Sequence, residues 1–493
     1  MRTEKDFLGE IEIPDDVYYG VQTTRALHNF LITGHVLNDD FIAALGIVKA
    51  AAARANMRTG RMPARIGHAI VKAAEEIIAG QWQNQFVVDC IQGGAGTSMN
   101  MNANEVIANR ALELLGEAKG NYQLISPNNH VNMAQSTNDV IPTAIRICTI
   151  RKAKKLMEAL VALAGAFETK GTEFSQVLKM GRTHLQDAVP ITLGQEFHAY
   201  AEAITRSLRR IEVTVQSLHA VNMGATAVGT GLNAEPEYID LVTEELSRLT
   251  GESIYSAKNM VDATQNTDEL AEFSGTLKVC ALALSKIAND LRLMASGPKC
   301  GLNELLLPAM QPGSSIMPGK VNPVIPETVN QVAFQVIGND LAVSMAVEAG
   351  QFELNVMEPV MAYNLFNSLT ILTNAVSTLN HKCIQGIRAN VEHCHSMIDA
   401  SVGVVTALLP HIGYEQASAI AKEALASGRP IKEIVVAKGL LTAEQLDVIL
   451  SPGEMTQPGI AGKQFLPATD PADILSDDAK KAVSKAEAMR HEN

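Results

Sequence analysis

Two long segments carry apolar residues at every third or fourth position, which is the pattern of one face of an α-helix. The first comprises Phe197, Tyr200, Ile204, Leu208, Ile211, Val215 and Leu218, and the second comprises Val329, Val332, Ala333, Val336, Ile337, Val343 and Val347. In the second segment Ala342, Met345 and Ala346 widen the apolar surface, which indicates burial on several sides. A 30-residue helix spans about 45 Å. The sequence therefore predicts a helical bundle whose outer faces are covered by other subunits of an obligate homo-oligomer.

The apolar content is aliphatic, which favours the same architecture. Hydrophobic residues make up 47% of the 493 residues, but aromatic residues only 4%. This balance suits closely packed helices better than a β-sandwich, so we expect an all-α fold. Beyond about residue 395 the helical segments become shorter, at Tyr414–Ser427, 430–438 and 442–450, and a last short helix is predicted after Ser476.

Charge and cysteine usage exclude several classes of partner. The net charge of −13 disfavours nucleic acid as a partner. A small anionic substrate would have to be attracted by local groups such as Lys320 or Arg182, because the field of the whole protein is negative. The six cysteines form no CxxC pair, which is typical of reduced thiols in a cytoplasmic protein. No signal peptide is expected at the start, and no apolar run reaches the ~18 residues that would predict a membrane span.

Residues 313–323 carry the strongest functional signal in the chain. Two hydroxyls (Ser314, Ser315), one lysine (Lys320) and one amide (Asn322) lie between glycines and prolines. Glycine allows close backbone approach, and proline forbids a continuing helix. The composition predicts a mobile loop that closes over a small anion, with a structural turn as the alternative.

Three further polar clusters interrupt the helical pattern, at residues 93–102, 132–139 and 181–186. The first is rich in glycine, and it fits either an anion cradle at a helix start or a tight turn. The second carries uncharged donors, and its alternative role is a helix N-cap at Ser136 or Asn138. In the third, His184 is either a functional group or a buried core histidine.

Together the clusters supply hydroxyls, amides, one imidazole and one ammonium, without a metal-ligand set. His393 and His395 are two residues apart, so they do not share a helix face. We expect no metal and no cofactor. This inventory suits binding a small dicarboxylate and stabilising a carbanion next to one of its carboxylates.

The motifs also resemble those of the aspartase/fumarase superfamily, along nearly the whole chain. The similar blocks are residues 313–323, 181–187, 229–233 and 353–356. Residues 96–100, 135–138, 18–23 and 357–359 resemble aspartate ammonia-lyases more than class II fumarases.

This resemblance implies a three-domain, all-helical subunit with a central five-helix bundle. The implied domains are 1–138, 139–393 and a small C-terminal domain at 394–493. It also implies a homotetramer whose active sites combine residues of three subunits, and elimination of ammonia from L-aspartate to give fumarate without a cofactor.

The same resemblance implies a role for each site residue. Ser314 would be the general base, and Glu327 would orient His184. The β-carboxylate would be held by Thr97, Ser136, Thr137 and Ser315. The α-carboxylate would be held by Thr183, Lys320 and Asn322. The amino group would contact Asn138 and His184.

Two departures and three alternatives accompany this interpretation. Ser126-Pro127-Asn128-Asn129 differs from the His-Pro-Asn-Asp of many relatives, which puts a second anion site in doubt. The tail after about Leu466 is longer than the family pattern, and it has no predicted role. The main alternative is fumarate hydratase, followed by a catalytically silent scaffold protein. An argininosuccinate lyase fits less well, because the central motifs differ.

Overall fold

α-Helices dominate this computed structural model, which describes residues 1–467. The helices are α1 Val21–Asn29, α2 Asp39–Arg58, α3 Ala64–Ile78, α4 Thr97–Leu114, α5 Thr137–Glu173, α6 Leu193–Thr214, α7 Pro236–Thr250, α8 Met260–Gln265, α9 Asp268–Met294, α10 Val324–Glu348, α11 Glu358–Lys382, α12 Val391–Ala400, α13 Leu409–Ile412, α14 Tyr414–Ser427, α15 Ile431–Ala437, α16 Ala443–Ile449 and α17 Pro452–Met455.

Strands occur only as two-stranded ribbons in this part of the chain. They are β1 Arg2–Asp6, β2 Gly9–Ile13, β3 Leu178–Thr183, β4 Gln186–Thr192, β5 Ala220–Val221, β6 Tyr255–Ser256, β7 Leu305–Leu306 and β8 Arg388–Ala389. Each strand pairs with one partner, in antiparallel fashion except for β5 with β6. The prediction of an all-α fold is confirmed.

The described chain forms two compact units. The first comprises Met1–Glu168, Ala199–Ser296 and Leu307–Ile387. The second comprises Thr169–His198, Gly297–Leu306 and residues 388–467. The three-domain division that the resemblance implies stays a prediction.

The helical periodicity located the main helices correctly. The first apolar segment forms α6, which ends at Thr214, and a 3-10 turn at Val215–His219 continues its apolar face. The second segment forms α10, and α14, α15 and α16 lie where the shorter C-terminal helices were predicted. The helix predicted after Ser476 lies outside the described residues.

The core of the first unit is built around α10, which packs against both α9 and α11. Val329, Ala333, Val336 and Val343 are buried along one face of α10, at intervals of three, four and seven residues. This spacing keeps one stripe of the helix against its neighbours.

Polar contacts inside this packing fix how α10 lies along its neighbours. Asp340 is buried and accepts hydrogen bonds from Ser274 at 2.8 Å and from Lys278 at 2.5 Å, both on α9. Asn339 donates to Ser368 on α11 at 3.0 Å. A buried polar group without its partner is costly, so these pairs favour a single register of the three helices.

A second face of α10 is apolar and exposed in one chain. Phe334 and Leu341 are each 65% exposed and Met345 is 60% exposed. They are spaced by seven and four residues, so they form a stripe of their own. Burial of each such side chain is worth about 1–2 kcal/mol. The burial on several sides predicted for this helix is therefore incomplete within a single chain.

All six cysteines are unpaired, and only Cys300 is exposed. The prediction of free thiols is confirmed, and the other five are buried. Among residues 1–467, no helix combines the length and the apolar character needed to cross a membrane.

The central packing predicts where a truncation destabilises the protein. Leu369 on α11 is fully buried, so Leu369→Ala should lower the free energy of unfolding by about 2–5 kcal/mol. Leu425 on α14 is 73% exposed, and Leu425→Ala should change it by less than about 0.5 kcal/mol. Urea unfolding followed by circular dichroism measures both changes, and equal midpoints for the two variants would contradict this packing.

Candidate functional site

The glycine-rich cluster ends at the first residue of α4. Gly96 precedes the helix with φ of 86°, a conformation that favours glycine. Thr97 opens the helix and is exposed, and its hydroxyl donates to the carbonyl oxygen of Gly94 at 2.7 Å. The two interpretations of this cluster, a tight turn and an anion cradle, are therefore compatible, because the same turn leaves the backbone N–H groups of a helix N-terminus unpaired.

The second cluster forms the start of α5. The Ser136 hydroxyl accepts a hydrogen bond from the backbone N–H of Asn138 at 3.2 Å, and Asp139 accepts one from the N–H of Ser136 at 2.9 Å. Asp139 also accepts from the N–H groups of Gly224 and Thr226. The N-cap alternative is thus confirmed for Ser136, and it leaves the Ser136 side chain half-buried at the helix start.

Asn100 links the two helix starts. It lies one turn into α4, and its amide nitrogen donates to the Thr137 hydroxyl oxygen at 3.3 Å. The Asn138 amide donates to the carbonyl oxygen of Ala227 at 2.7 Å. Thr97 and residues 136–138 therefore belong to one group, at the positive ends of two helix dipoles.

A buried lysine that the sequence analysis did not identify lies behind this group. Lys49 on α2 is fully buried, and its ammonium donates to the side-chain oxygens of Asn100 at 2.6 Å, Gln135 at 2.8 Å and Asn132 at 3.2 Å. Burial lowers the pKa of Lys49 to about 7, and the negative charge of Asp139 opposes this change. In the sequence, Lys49 could have been recognised as the single charged residue in residues 41–53, a stretch that otherwise consists of apolar and small residues.

The loop at 313–323 is closed by its own backbone. The N–H of Gly313 donates to the carbonyl oxygen of Lys320 at 2.7 Å, and the Asn322 amide donates to the carbonyl oxygen of Gly313 at 2.7 Å. A Cβ atom at position 313 would lie 2.7 Å from the Lys320 oxygen. Glycine is therefore required at position 313 for the loop to close in this way.

Two backbone N–H groups point at the hydroxyl oxygen of Ser314. They belong to Ile316 at 3.2 Å and Met317 at 3.0 Å. Ser314 and Lys320 line the same open cleft. The same two N–H groups would hydrogen-bond to a negative charge on this oxygen.

The remaining loop residues are available to a ligand. Ser315 and Lys320 are exposed, and Asn322 and Glu327 are half-buried. Within residues 1–467 the Lys320 ammonium and the Glu327 carboxylate have no hydrogen-bond or ion-pair partner.

His184 lies in a two-residue turn between β3 and β4. Thr183 pairs with Gln186, and the turn residues His184 and Leu185 have φ of 55° and 60°. Positive φ at both positions is the requirement of a type I′ hairpin turn, and it costs a non-glycine residue about 1–2 kcal/mol. Thr183 and His184 are exposed, so the alternative of a buried core histidine is wrong.

Arg182 is engaged by a buried carboxylate in the second unit. Its guanidinium donates to Glu304 at 2.8 Å, and Glu304 is fully buried with Lys179 at 3.6 Å. This ion cluster anchors β3 next to the His184 turn. The sequence suggested Arg182 and Lys320 as cations that could attract an anionic substrate. Arg182 is occupied by Glu304, whereas Lys320 has no ion-pair partner within residues 1–467.

The Ser126 hydroxyl accepts a hydrogen bond from the backbone N–H of Asn129 at 3.1 Å, at the start of a π-helical turn over Pro127–Val131. The absence of a second anion site at this turn stays a prediction.

The predicted site residues fall into three groups. Thr97 and residues 136–138 form one group in the first unit, and the 313–323 loop with Glu327 forms another. In the part of the chain that the structure describes, no hydrogen bond joins these two groups. Thr183 and His184 form the third group, which lies in the second unit.

The closed loop can be tested by proteolysis. Gly313→Ala should open the loop and increase the rate of trypsin cleavage after Lys320 by about threefold or more, because the added Cβ displaces the Lys320 carbonyl. Gly453→Ala on α17, where a Cβ meets open space, is the matched control and should leave the rate unchanged. Equal rates for both variants, read by mass spectrometry, would contradict the closed geometry.

Known proteins share both the sequence and the fold. The family model described as "Lyase" matches residues 9–338, and the one described as "Fumarase C C-terminus" matches residues 404–457. The chain is 59% identical to an aspartate ammonia-lyase of a Bacillus species, over 94% of this chain and 99% of that protein. It is 48% identical to the aspartate ammonia-lyase of Escherichia coli, over 94% and 98% of the two chains.

Two solved structures agree with these matches. A fumarate lyase:delta crystallin from Brucella melitensis, in a crystal structure bound to cobalt, has a TM-score of 0.90 and 51% identity, over 93% of this chain and all of that one. A class II fumarase from Schistosoma mansoni has a TM-score of 0.88 and 37% identity, over 93% and 99%. The long N-terminal match, the fumarase-like C-terminus and the near-complete coverage show that this chain belongs to the aspartate ammonia-lyase family of the aspartase/fumarase superfamily.

Proposed function

We propose that this protein eliminates ammonia from L-aspartate and releases fumarate. The similar proteins named above that carry this activity support the substrate. The observation that carries the chemistry is the Ser314 hydroxyl, which accepts two backbone N–H groups inside a loop that also holds Lys320.

Ser314 acts as the general base in this proposal. A serine hydroxyl is too weak an acid to lose its proton unaided. The N–H groups of Ile316 and Met317 and the positive charge of Lys320 stabilise the alkoxide, which then takes the Cβ proton of aspartate. The electron pair of the broken C–H bond moves into the neighbouring carboxylate and forms a doubly charged aci-carboxylate. When the C–N bond breaks, this pair forms the C=C bond, and the nitrogen leaves with the C–N electrons.

Neutral hydrogen-bond donors stabilise the charge that develops. We assign Thr97, Ser136, Thr137 and Ser315 to the β-carboxylate, and the Thr97 hydroxyl, which donates to Gly94 in the free chain, turns toward the substrate when it binds. We assign Thr183, Lys320 and Asn322 to the α-carboxylate. Thr97 and Thr137 are the first residues of α4 and α5, where unpaired backbone N–H groups and the helix dipoles also favour a negative charge. Preorganised donors of this kind act most strongly in a closed site without water.

The amino group is held by Asn138 and His184, and Glu327 orients the imidazole of His184. The turn that presents His184 is held in a costly left-handed conformation. Such strain concentrates at functional positions. No metal or cofactor takes part in this proposal.

We further propose that the working form is a homotetramer in which three chains contribute to each site. The exposed stripe of Phe334, Leu341 and Met345 supports association through α10. The lack of a hydrogen bond, within residues 1–467, between the Thr97 group and the 313–323 loop fits groups that belong to different sites. A cytoplasmic location stays a prediction, supported by the six unpaired cysteines.

The substrate and the base are tested in one assay. The rise in ultraviolet absorbance from fumarate should appear with L-aspartate and stay absent with L-malate. Ser314→Ala should lower the rate with aspartate by at least about 100-fold, because the proton acceptor is lost. A signal with malate alone would make the protein a fumarate hydratase, and silence with both from a folded protein would favour the catalytically silent scaffold.

Shared sites predict that two inactive variants restore each other. Ser314→Ala and His184→Ala, expressed together in equal amounts, should recover about a quarter of wild-type activity, since one site in four then combines an intact Ser314 with an intact His184 from different chains. Ser314→Ala mixed with Lys320→Ala is the matched control and should recover nothing, because one loop carries both residues. Absence of recovery in the first mixture, with tetramers formed, would show that Ser314 and His184 of each site come from one chain.

A further inference from the structure

Lys49 is a fully buried cation whose three hydrogen bonds all end on side-chain amide oxygens. An ammonium group has three donors and no acceptor. The atoms that face it must therefore be the oxygens of Asn100, Asn132 and Gln135. The contact with Lys49 therefore fixes which side-chain atom of each amide is the oxygen and which is the nitrogen. The shape of the amide group alone does not distinguish the two.

The orientation of Asn100 in turn decides the role of Thr137. With its oxygen on Lys49, the Asn100 side chain donates through its nitrogen to the Asn132 side-chain oxygen at 3.1 Å and to the Thr137 hydroxyl oxygen at 3.3 Å. An amide nitrogen only donates, so Thr137 accepts this hydrogen bond. Among residues 1–467 the Thr137 hydroxyl proton has no acceptor, so it remains available to an anion at the helix start.

We propose that Lys49 and Asn100 are positioning residues that hold Thr137 as a hydrogen-bond donor to the β-carboxylate of the substrate. This inference rests on the proposed function, because it takes Thr137 as a contact of that carboxylate. The three groups form a chain in which each donates to the next, from the Lys49 ammonium through the Asn100 amide to the Thr137 hydroxyl. Donors in such a chain polarise one another, and the cation at its inner end strengthens the outermost hydrogen bond.

The chain matters most when the substrate charge grows. The β-carboxylate gains a second negative charge as the aci-carboxylate forms, and a fixed donor at that point stabilises the transition state more than the bound substrate. In its protonated form Lys49 supplies positive charge without touching the substrate, and it differs in this respect from Lys320, which is exposed in the loop. Burial lowers the pKa of Lys49 to about 7, which makes this charge depend on pH in the neutral range.

Asn100→Asp tests the chain without emptying the buried space around Lys49. The new carboxylate is almost isosteric with the amide, and it pairs with the Lys49 ammonium, so the variant should fold. A carboxylate only accepts, so Thr137 then donates inward to position 100 and no longer to the substrate. We expect kcat with L-aspartate to fall by about 100-fold, the loss typical of one oxyanion donor, and KM to change less.

The decisive measurement repeats Asn100→Asp in a Thr137→Val background. If position 100 acts through the Thr137 hydroxyl, the substitution should lower kcat by less than about threefold once that hydroxyl is gone. Asn330→Asp is the matched control. Asn330 is buried, its side-chain oxygen accepts from Arg292 at 2.9 Å and its nitrogen donates to the Ser285 hydroxyl at 2.8 Å, but it has no contact with Thr137. It should leave kcat within about threefold of the wild type, with the same small effect in both backgrounds.

Each result has a separate meaning. If Asn100→Asp lowers kcat equally in the wild-type and Thr137→Val backgrounds, or does not lower it in the wild type, the positioning role is overturned and the proposed function stays intact. A wild-type protein that fails to form fumarate from aspartate would overturn the proposed function itself. Thermal unfolding and the oligomeric state of every variant show that a loss of kcat does not come from a loss of fold.

Discussion

The packing of α10 between α9 and α11 is the constraint on which the rest of the structure depends. Its aliphatic contacts hold three long helices together, and the Asp340 and Asn339 contacts fix how they lie along one another. A helix this long and this apolar cannot be covered by two neighbours, so Phe334, Leu341 and Met345 remain exposed in one chain. The need to bury that stripe ties the fold to assembly, and assembly is what completes the site in our account.

The distribution of charges and hydrogen-bond donors in the proposed site suits an acidic protein. A chain with a net charge of −13 repels a dicarboxylate at long range, so attraction has to be local. In the proposed site it comes from helix starts, neutral hydroxyls and amides, and two lysines in different settings. Lys320 is exposed on a closing loop, whereas Lys49 is buried behind Asn100 and Thr137.

The sequence predicted the helices well, because the spacing of apolar residues and the positions of proline and glycine are local properties. α10, α14, α15 and α16 lie where apolar spacing, proline and glycine placed them. It also located the polar clusters, and for Ser136 it offered the N-cap role that the structure shows. It could not show that Lys49 meets Asn100, since residues 51 positions apart come together only through packing. Nor did it show the left-handed turn at His184 or the closure of the loop by Gly313, because both depend on how the backbone pairs.

A crystal structure of the assembled protein with succinate bound would test the central claim most directly. Succinate has both carboxylates of the substrate but no leaving group, so it stays intact in the site. The account predicts one carboxylate on the hydroxyls of Thr97, Ser136 and Thr137 of one chain, beneath the closed 313–323 loop of a second chain, with His184 supplied by a third. Succinate held by residues of a single chain, or bound away from Ser314, would contradict the account.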